Sequence, residues 1–295
     1  MKKHIPLLLL LLLFAAWAVF LDKAADFFVF GAPQQIFSFQ PALTEINFPS
    51  QEEGVLLNAL YAPAKEGKPT FLVFHGNNEN IYTFQNYMTP YLNAGYGVLL
   101  FDYRGYGKSE GVTSEKNMFE DGLSAADFLI SKKLVSPNQI ILWGISLGAT
   151  PALYTAVNKE DYHFRGIILQ SPFTNTTDLV YMKLAHKYQD GPLMPVVSVL
   201  LKPFLWDKDF DSVSLIQEVR VPVLIGSSRA DTVVPSTLSN VVAAHAPLGT
   251  ENFISNTGSH NDPEWFKAAV FSFLKKIEIS PVQDEIDTPN ENAGN

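Results

Sequence analysis

Cysteine is absent from this chain of 295 residues. Its absence excludes disulfide bridges, thiolate metal sites and a cysteine nucleophile, although it identifies no cellular compartment. Positive charge is also scarce, because 21 lysine and arginine residues stand against 30 acidic residues, for a net charge of −9. An acidic chain without a lysine- and arginine-rich cluster in its body is not typical of nucleic-acid-binding proteins, so we expect no nucleic-acid partner.

Apolar residues are plentiful by contrast, at 47% of the sequence. A chain of this length and composition can bury a large core, either as one large α/β domain or as two small ones. Between residues 43 and 277, short apolar runs alternate with segments of helical period. This alternation predicts a mostly parallel central sheet with helices on both faces.

The longest apolar run lies at the N-terminus, where Lys2 and Lys3 precede an uncharged stretch over residues 5–21 with seven consecutive leucines. A positively charged start followed by an apolar core is typical of a secretory signal. The segment is either cleaved after Ala16-Trp17-Ala18 or kept as a membrane anchor, at the short end of the ~17–25 residues that span a bilayer. In both cases the positive-inside rule predicts a catalytic domain on the non-cytoplasmic side, anchored or secreted.

The remaining sequence divides into a connector over residues 22–42, an α/β domain over 43–277 and an acidic tail over 278–295 that is predicted to be disordered. Inside the domain, residues 173–212 interrupt the alternation because they contain no clear strand. They predict a small helical insertion. This insertion either forms a lid above the strand ends or packs as ordinary helices beside the sheet.

One stretch carries a catalytic pattern, Gly144-Ile145-Ser146-Leu147-Gly148, between an apolar run and helix-compatible residues. In this G-x-S-x-G pattern, a sharp turn from strand to helix lifts the serine above the sheet edge, where a base can reach its hydroxyl. The two glycines allow the turn to pack closely. Because a serine hydroxyl is a weak nucleophile until a base removes its proton, Ser146 needs partners elsewhere in the chain.

Those partners are expected after later strands, in the order serine, acid, histidine. Asp231 follows the apolar run at 221–226 and is the candidate acid, with helix capping near Pro235 as its alternative role. His260 follows the last predicted strand and a glycine-containing turn, and it is the candidate base. The other five histidines lie at less suitable positions; His75, at the end of an early strand, is interpreted as shaping a loop at the site.

The negative charge that develops on a substrate oxygen needs backbone N–H donors, which together form an oxyanion hole. Leu147, the residue after the nucleophile, is the candidate for one donor. Asn77 is the candidate for the second, because Gly76 before it lets the backbone approach the substrate. Asp102 and Arg104 are interpreted as structural residues that pin a loop. This chemistry needs no cofactor, and no metal is expected.

Taken together, these segments resemble the membrane-associated branch of the α/β hydrolases that contains Bem-type and depalmitoylase-like proteins. The resemblance covers roughly residues 43–277 and implies an α/β-hydrolase fold and a serine hydrolase acting on esters or thioesters. The chain differs from the branch at Asn78-Glu79-Asn80, where small residues are common. The motifs that carry the resemblance are His75-Gly76-Asn77, residues 102–109, residues 114–117, the serine pattern, Asp231 and residues 258–262.

The leading hypothesis is a serine hydrolase that cleaves carboxylic esters or thioesters of a small-molecule or lipid-like acyl substrate. Residues 173–212 carry many apolar side chains, so the acyl group is predicted to be apolar. Two alternatives are kept: a serine peptidase of the same fold, and a membrane-anchored binding module without catalysis. A binding module of this kind usually lacks one member of the triad, whereas all three candidates are present here.

Overall fold

A computed structural model describes residues 29–52, 54–188, 208–262 and 264–279, together with isolated residues at 16, 17, 19, 23, 203 and 205. Most of the predicted N-terminal segment lies outside the described residues, as do most of 189–207 and the tail from residue 280. In the part of the chain that is described, no helix has the length and hydropathy needed to cross a bilayer.

A sheet of eight strands runs through the described part of the chain. The strands are β1 (Thr44–Pro49), β2 (Leu56–Ala62), β3 (Thr70–Phe74), β4 (Gly97–Phe101), β5 (Ile140–Ile145), β6 (Gly166–Gln170), β7 (Val223–Ser228) and β8 (Glu251–Ser255). Their order across the sheet is β1-β2-β4-β3-β5-β6-β7-β8. β2 pairs antiparallel with β1 and with β4, and the other pairings are parallel. The predicted mostly parallel sheet is confirmed.

Helices pack on both faces of this sheet. Those whose bounds are described are α1 (Ile81–Phe84), α2 (Thr89–Asn93), α3 (Glu115–Ser131), α4 (Ala149–Asn158), α5 (Thr176–Tyr188), α6 (Ser212–Ile216), α7 (Ser236–His245) and α8 (Glu264–Ile279). On β3, Leu72 faces a core shared with Leu153 of α4, whereas Phe71 faces a second core shared with Phe273 of α8. This two-sided burial explains why the central strands read as unbroken apolar runs.

Residues 81–93 form two short helices instead of one continuous helix. α1 ends at Phe84, a 3₁₀ segment follows over Gln85–Met88, and α2 begins at Thr89. Pro90 accounts for part of this break, because proline has no N–H with which to continue an α-helical hydrogen-bond ladder. At its start, α1 is fixed by a capping box in which the Asn80 side chain accepts from the N–H of Thr83 at 3.1 Å.

The last helix runs further than the sequence predicts. α8 continues through Ile279, past residue 278 where the disordered tail was predicted to begin. Glu278 anchors this final turn, because its carboxylate accepts from Tyr96 Oη at 2.6 Å and pairs with Lys68 Nζ at 3.1 Å. Residues 280–295, the rest of the predicted tail, lie outside the described residues.

The end of the predicted connector lies against the loop between β3 and α1. Asn80 Nδ2 donates to the carbonyl oxygens of Pro33 at 3.2 Å and Gln35 at 2.6 Å. The Phe30 ring is buried and lies 6.0 Å, centroid to centroid, from that of Phe210. Residues 29–35 are therefore part of the folded domain, which the sequence pattern did not predict.

Candidate active site

Ser146 occupies a sharp turn between β5 and α4. Its φ is +52°, in the left-handed region that non-glycine residues rarely adopt. The flanking glycines have a packing role, because a β-carbon on Gly144 would lie 2.6 Å from Ala149 Cα and one on Gly148 would clash with the Phe74 carbonyl. The strain is therefore carried by the serine itself, in a turn that close packing holds in place.

Asp231 and His260 meet at the carboxyl ends of β7 and β8. His260 Nδ1 lies 2.6 Å from Asp231 Oδ2, at hydrogen-bonding distance. The Asp231 side chain is fully buried, whereas 11% of the His260 side chain remains exposed. An imidazole that donates from Nδ1 to a carboxylate keeps Nε2 available as a base, which is the geometry required of a histidine–acid pair in acyl transfer.

The surroundings of Asp231 keep its carboxylate charged. Burial would raise the pKa of Asp231, but the hydrogen bond and charge of His260 and the backbone N–H groups of Val234 and Val233 together hold the pKa below its ordinary value. Those two N–H groups lie 2.9 and 2.8 Å from Oδ1. These N–H groups belong to the loop before α7, whose N-cap residue, Pro235, has no side-chain capping hydrogen bond, so Asp231 does not cap this helix.

A residue that the sequence analysis did not select also contacts Asp231. Ser171 Oγ donates to Asp231 Oδ2 at 3.0 Å, next to the contact with His260. Ser171 directly follows β6, is buried, and has a φ of +48°. The sequence offers one indirect signal, because the end of a parallel strand beside β7 is where a side chain can reach the candidate acid.

The candidate residues converge on one cavity of about 150 Å³. Ser146, Leu147, Asn77 and His260 all line it, and Asp231 lies behind His260. The other residues that line it are Val29, Gly76, Asn78, Glu79, Tyr87, Ile145, Phe173, Thr176, Leu179, Val180, Lys183, Val233 and Asn261. The structure therefore brings together the nucleophile, base and oxyanion-hole residues selected from the sequence. Their catalytic roles stay predictions.

The first helix of the predicted insertion covers this cavity. Thr176, Leu179, Val180 and Lys183 of α5 line it. Their spacing of three and four residues places them on one helical face. This is the described part of the 173–212 segment that was given either as a lid or as ordinary packing. The apolar run at 196–205 lies almost entirely outside the described residues.

Comparisons with known proteins identify the family of this chain. Residues 69–208 match the family described as alpha/beta hydrolase fold. An uncharacterized protein of Mycobacterium tuberculosis is 31% identical over 215 residues, which cover 72% of this chain and 71% of that protein. The chain belongs to the α/β-hydrolase family. Protein bem46 of Schizosaccharomyces pombe, 27% identical over 180 residues (60% of this chain and 56% of that protein), supports the Bem-type branch.

Solved structures agree on the fold. An esterase of Pyrococcus furiosus superposes with a TM-score of 0.64 at 19% identity, over 83% of this chain and 96% of the esterase. An alpha-beta hydrolase from Vibrio vulnificus gives 0.67 at 16% identity, over 93% and 95% of the two chains. At such identities the likeness establishes architecture alone. With the family match, the predicted fold and the predicted class of enzyme, a hydrolase, are confirmed.

Two charged residues near the site of this hydrolase hold loops. Arg104 is buried, and its Nε donates to Asp121 Oδ1 at 2.7 Å while Nη2 donates to Glu120 Oε2 at 2.8 Å. Asp102 Oδ1 accepts from the N–H of Ile81 at 2.9 Å. Both residues therefore pin chain segments, as interpreted from the sequence, but each does so with its own partners.

The candidate oxyanion loop of the hydrolase is held from outside the cavity. Asn77 Oδ1 accepts from the Gly31 N–H and, at 3.4 Å, from Tyr106 Oη. The side chain of Asn77 is thus engaged with Gly31 and Tyr106, and the residue also lines the cavity. Within the residues that the structure describes, no cluster of histidine and acidic side chains is arranged to hold a metal ion.

Proposed function

We propose that this α/β hydrolase is a serine hydrolase that cleaves carboxylic esters or thioesters through an acyl-enzyme. One observation carries the proposal: Ser146, on its strained turn, lines the same cavity as His260, whose Nδ1 lies 2.6 Å from Asp231 Oδ2. A nucleophile, an oriented base and a charged acid behind it are the components that acyl transfer requires.

The reaction proceeds in two halves. In the first, Ser146 Oγ attacks the acyl carbonyl while His260 Nε2 takes the hydroxyl proton, and the imidazolium is stabilised by the Asp231 carboxylate. Backbone N–H groups of Leu147 and Asn77 stabilise the oxyanion of the tetrahedral intermediate. His260 then returns the proton to the departing alkoxide or thiolate. In the second half, water attacks the acyl-enzyme by the same proton transfers and releases the carboxylic acid.

The cavity wall favours an apolar acyl group. Phe173, Leu179, Val180 and Val233 form an apolar side, most of it contributed by α5 and the loop that precedes it. Each methylene removed from water contributes ~0.8 kcal/mol, or about fourfold in specificity constant. We therefore expect kcat/KM for p-nitrophenyl esters to rise from acetyl toward medium-chain acyl groups. A series that peaks at acetyl or propionyl would refute an apolar acyl site and leave the triad untouched.

The N-terminal segment supports a proposal about location. Lys2 and Lys3 before an apolar run at 5–21 favour a hydrolase domain on the non-cytoplasmic side of a membrane, anchored or released by cleavage. In a bacterial host, a fusion of alkaline phosphatase to the C-terminus is expected to be active. An expressed but inactive fusion would contradict this orientation, and N-terminal sequencing of the mature protein separates an anchor from a cleaved signal.

Covalent labelling tests the proposed chemistry directly. A fluorophosphonate should label the wild-type protein on the peptide that contains Ser146, and Ser146→Ala should lose both the label and the hydrolysis of p-nitrophenyl butyrate. Ser124→Ala is the matched control, because Ser124 is buried on α3 and its hydroxyl donates to the carbonyl oxygen of Glu120 at 2.8 Å. Labelling or turnover that persists in folded Ser146→Ala would overturn the assignment.

A further inference from the structure

The cavity wall contains an acid that the proposed mechanism does not use. Glu79 lies in the loop between β3 and α1 and lines the cavity with Ser146 and His260. Its Oε2 accepts a long hydrogen bond, 3.4 Å, from the N–H of Gly76. Among the described residues this carboxyl has no other hydrogen bond, so most of its accepting capacity is not used within the protein.

The carboxyl lies beside the nucleophile. The position that a β-carbon on Gly76 would occupy is 3.3 Å from Glu79 Oε2 and 3.6 Å from Ser146 Cβ. Glu79 and Ser146 therefore border the same small space next to Gly76. A substrate whose carbonyl carbon meets Ser146 Oγ must place its nearest substituents in or beside that space.

Glu79 is partly withdrawn from solvent where it lies. Burial raises its pKa, and the charge of His75, the N–H of Gly76 and the charge of His260 offset this only in part. A carboxyl withdrawn from water gains most from a further hydrogen-bond donor. A donor on the substrate would also disperse negative charge that otherwise opposes the nearby oxyanion.

The other ionisable groups around the cavity indicate that the substrate group that donates to Glu79 is uncharged. Lys183 of α5 also lines the cavity, and its pKa is lowered because the effect of burial is only partly offset by the charge of Asp231. An ammonium group on the substrate would meet this lysine and the imidazolium that forms on His260. A carboxylate would meet Glu79. A hydroxyl group satisfies Glu79 without repulsion from either side.

We propose that Glu79 is a specificity-determining residue, which accepts a hydrogen bond from a hydroxyl group carried within a few bonds of the scissile carbonyl. The preferred substrates are then esters of hydroxy acids or of polyols, whose alkyl part contacts the apolar side of the cavity on α5. This inference rests on the proposed function, because it assumes that the carbonyl is placed at Ser146 Oγ.

Two matched substrate pairs test the proposal, one for each side of the ester. The first compares p-nitrophenyl 3-hydroxybutyrate with p-nitrophenyl butyrate, and the second compares 2-hydroxyethyl butyrate with propyl butyrate. In at least one pair the wild-type protein should favour the hydroxylated ester by about tenfold in kcat/KM, the size expected for a hydrogen bond to a charged group. Glu79→Leu should abolish that preference, and Glu79→Gln, which keeps an acceptor oxygen, should retain part of it.

Controls separate this proposal from the broader one. Glu66→Gln changes the net charge as Glu79→Gln does but lies at an exposed position before β3, so it should leave both ratios unchanged. Turnover of plain butyrate esters with no hydroxyl preference in either pair would overturn the role of Glu79 and leave the serine hydrolase intact. So would a preference that survives in Glu79→Leu. No turnover of any ester would refute the proposed function itself.

Discussion

Two histidine–aspartate pairs lie at the carboxyl ends of strands in this hydrolase, and they differ in access to the cavity. His260 and Asp231 follow β8 and β7, and His260 lines the cavity with 11% of its side chain exposed. His75 and Asp102 directly follow β3 and β4, and both side chains are fully buried. A histidine beside an acid therefore indicates a catalytic base only where a substrate can reach its free nitrogen.

The fully buried pair of His75 and Asp102, called the sealed pair below, lies among aromatic side chains. The His75 ring lies 4.7 Å from the Tyr103 ring and 5.2 Å from the Tyr106 ring, centroid to centroid. His75 Nε2 lies 3.2 Å from Asp102 Oδ1, without the alignment of a hydrogen bond. Asp102 Oδ1 also accepts from the N–H of Ile81, which begins α1. This pair therefore joins the ends of β3 and β4 to the helix that follows the oxyanion loop.

The two acids have opposite pKa shifts for a reason that can be read from their contacts. Burial raises the pKa of Asp102, and the His75 ring and the Ile81 N–H do not compensate for it. At Asp231 the same effect of burial is outweighed, chiefly by the hydrogen bond and charge of His260, so its pKa is lowered. The hydrogen bonds that Asp231 accepts, four against one at Asp102, favour its charged form.

The largest predicted effect comes from replacing His260 or His75 by alanine, one at a time. His260→Ala should lower kcat/KM for p-nitrophenyl butyrate by about 10⁴-fold, because a triad without its base retains little more than binding and oxyanion stabilisation. It should also lower stability somewhat, because the buried Asp231 carboxylate loses its contact with His260. His75→Ala should have the larger effect on stability, about 2–4 kcal/mol, because it removes a fully buried ring, and the smaller effect on kcat/KM.

Steady-state kinetics and thermal unfolding on the same samples measure both effects. Activity of His75→Ala is compared with wild type below its own melting temperature, so that unfolding does not imitate lost catalysis. A folded His75→Ala that loses as much activity as His260→Ala would show that the sealed pair takes part in the chemistry.

The second prediction concerns stability as a function of pH. The pKa of Asp231 is lowered by folding, so its stabilising contribution is present above the unfolded value of about 3.9 and is lost as pH falls through the folded pKa. The pKa of Asp102 is raised, so its contribution is present below about 3.9 and is lost as pH rises through the folded pKa. The asparagine variants should therefore have opposite profiles.

Urea unfolding between pH 3.5 and 7 measures the two profiles. Asp231→Asn should be less stable than wild type by about 1–3 kcal/mol at pH 7, and the deficit should shrink toward the acid end. The stability of Asp102→Asn relative to that of the wild type should increase as the pH rises across the same range. Parallel profiles for the two variants would contradict the assignment of opposite shifts.

Much of the fold could be predicted from sequence because the central strands are buried on both faces. Such strands appear as short, mostly apolar runs, as at β3 and β4, all of whose residues are buried. The candidate triad was found from the order of its residues along the chain, because each member follows a strand of the parallel sheet. Local pattern and chain order thus sufficed for these features.

The features that were missed depend on contacts between distant segments. Ser171 reaches Asp231 because its backbone takes a left-handed conformation, which no local pattern in the sequence indicates. The docking of residues 29–35 rests on hydrogen bonds to Asn77 and Asn80 and on the packing of Phe30 against Phe210, all distant in sequence. The turn of Glu79 toward the cavity depends on Gly76, three residues earlier. Propensity and periodicity carry no information on such long-range or side-chain geometry.

The smallest predicted effect concerns Ser171, the hydroxyl that distinguishes the accessible pair from the sealed one. Ser171→Ala should lower kcat about three- to tenfold with KM little changed, because Asp231 loses one hydrogen bond of four and holds the His260 ring less firmly. Ser227→Ala is the matched control, since Ser227 is buried at the end of β7 and its hydroxyl has no hydrogen-bond partner among the described residues.

Ser171→Gly separates the hydroxyl from the backbone at this position. Glycine accepts a φ of +48° without strain, so this variant should be no less stable than Ser171→Ala. It should nevertheless be equally slow, because both variants lack the hydroxyl. If Ser171→Gly recovered wild-type kcat, backbone strain at Ser171 would matter and the hydrogen bond to Asp231 would not. If Ser227→Ala were as slow as Ser171→Ala, the loss would reflect general disturbance of the strand ends.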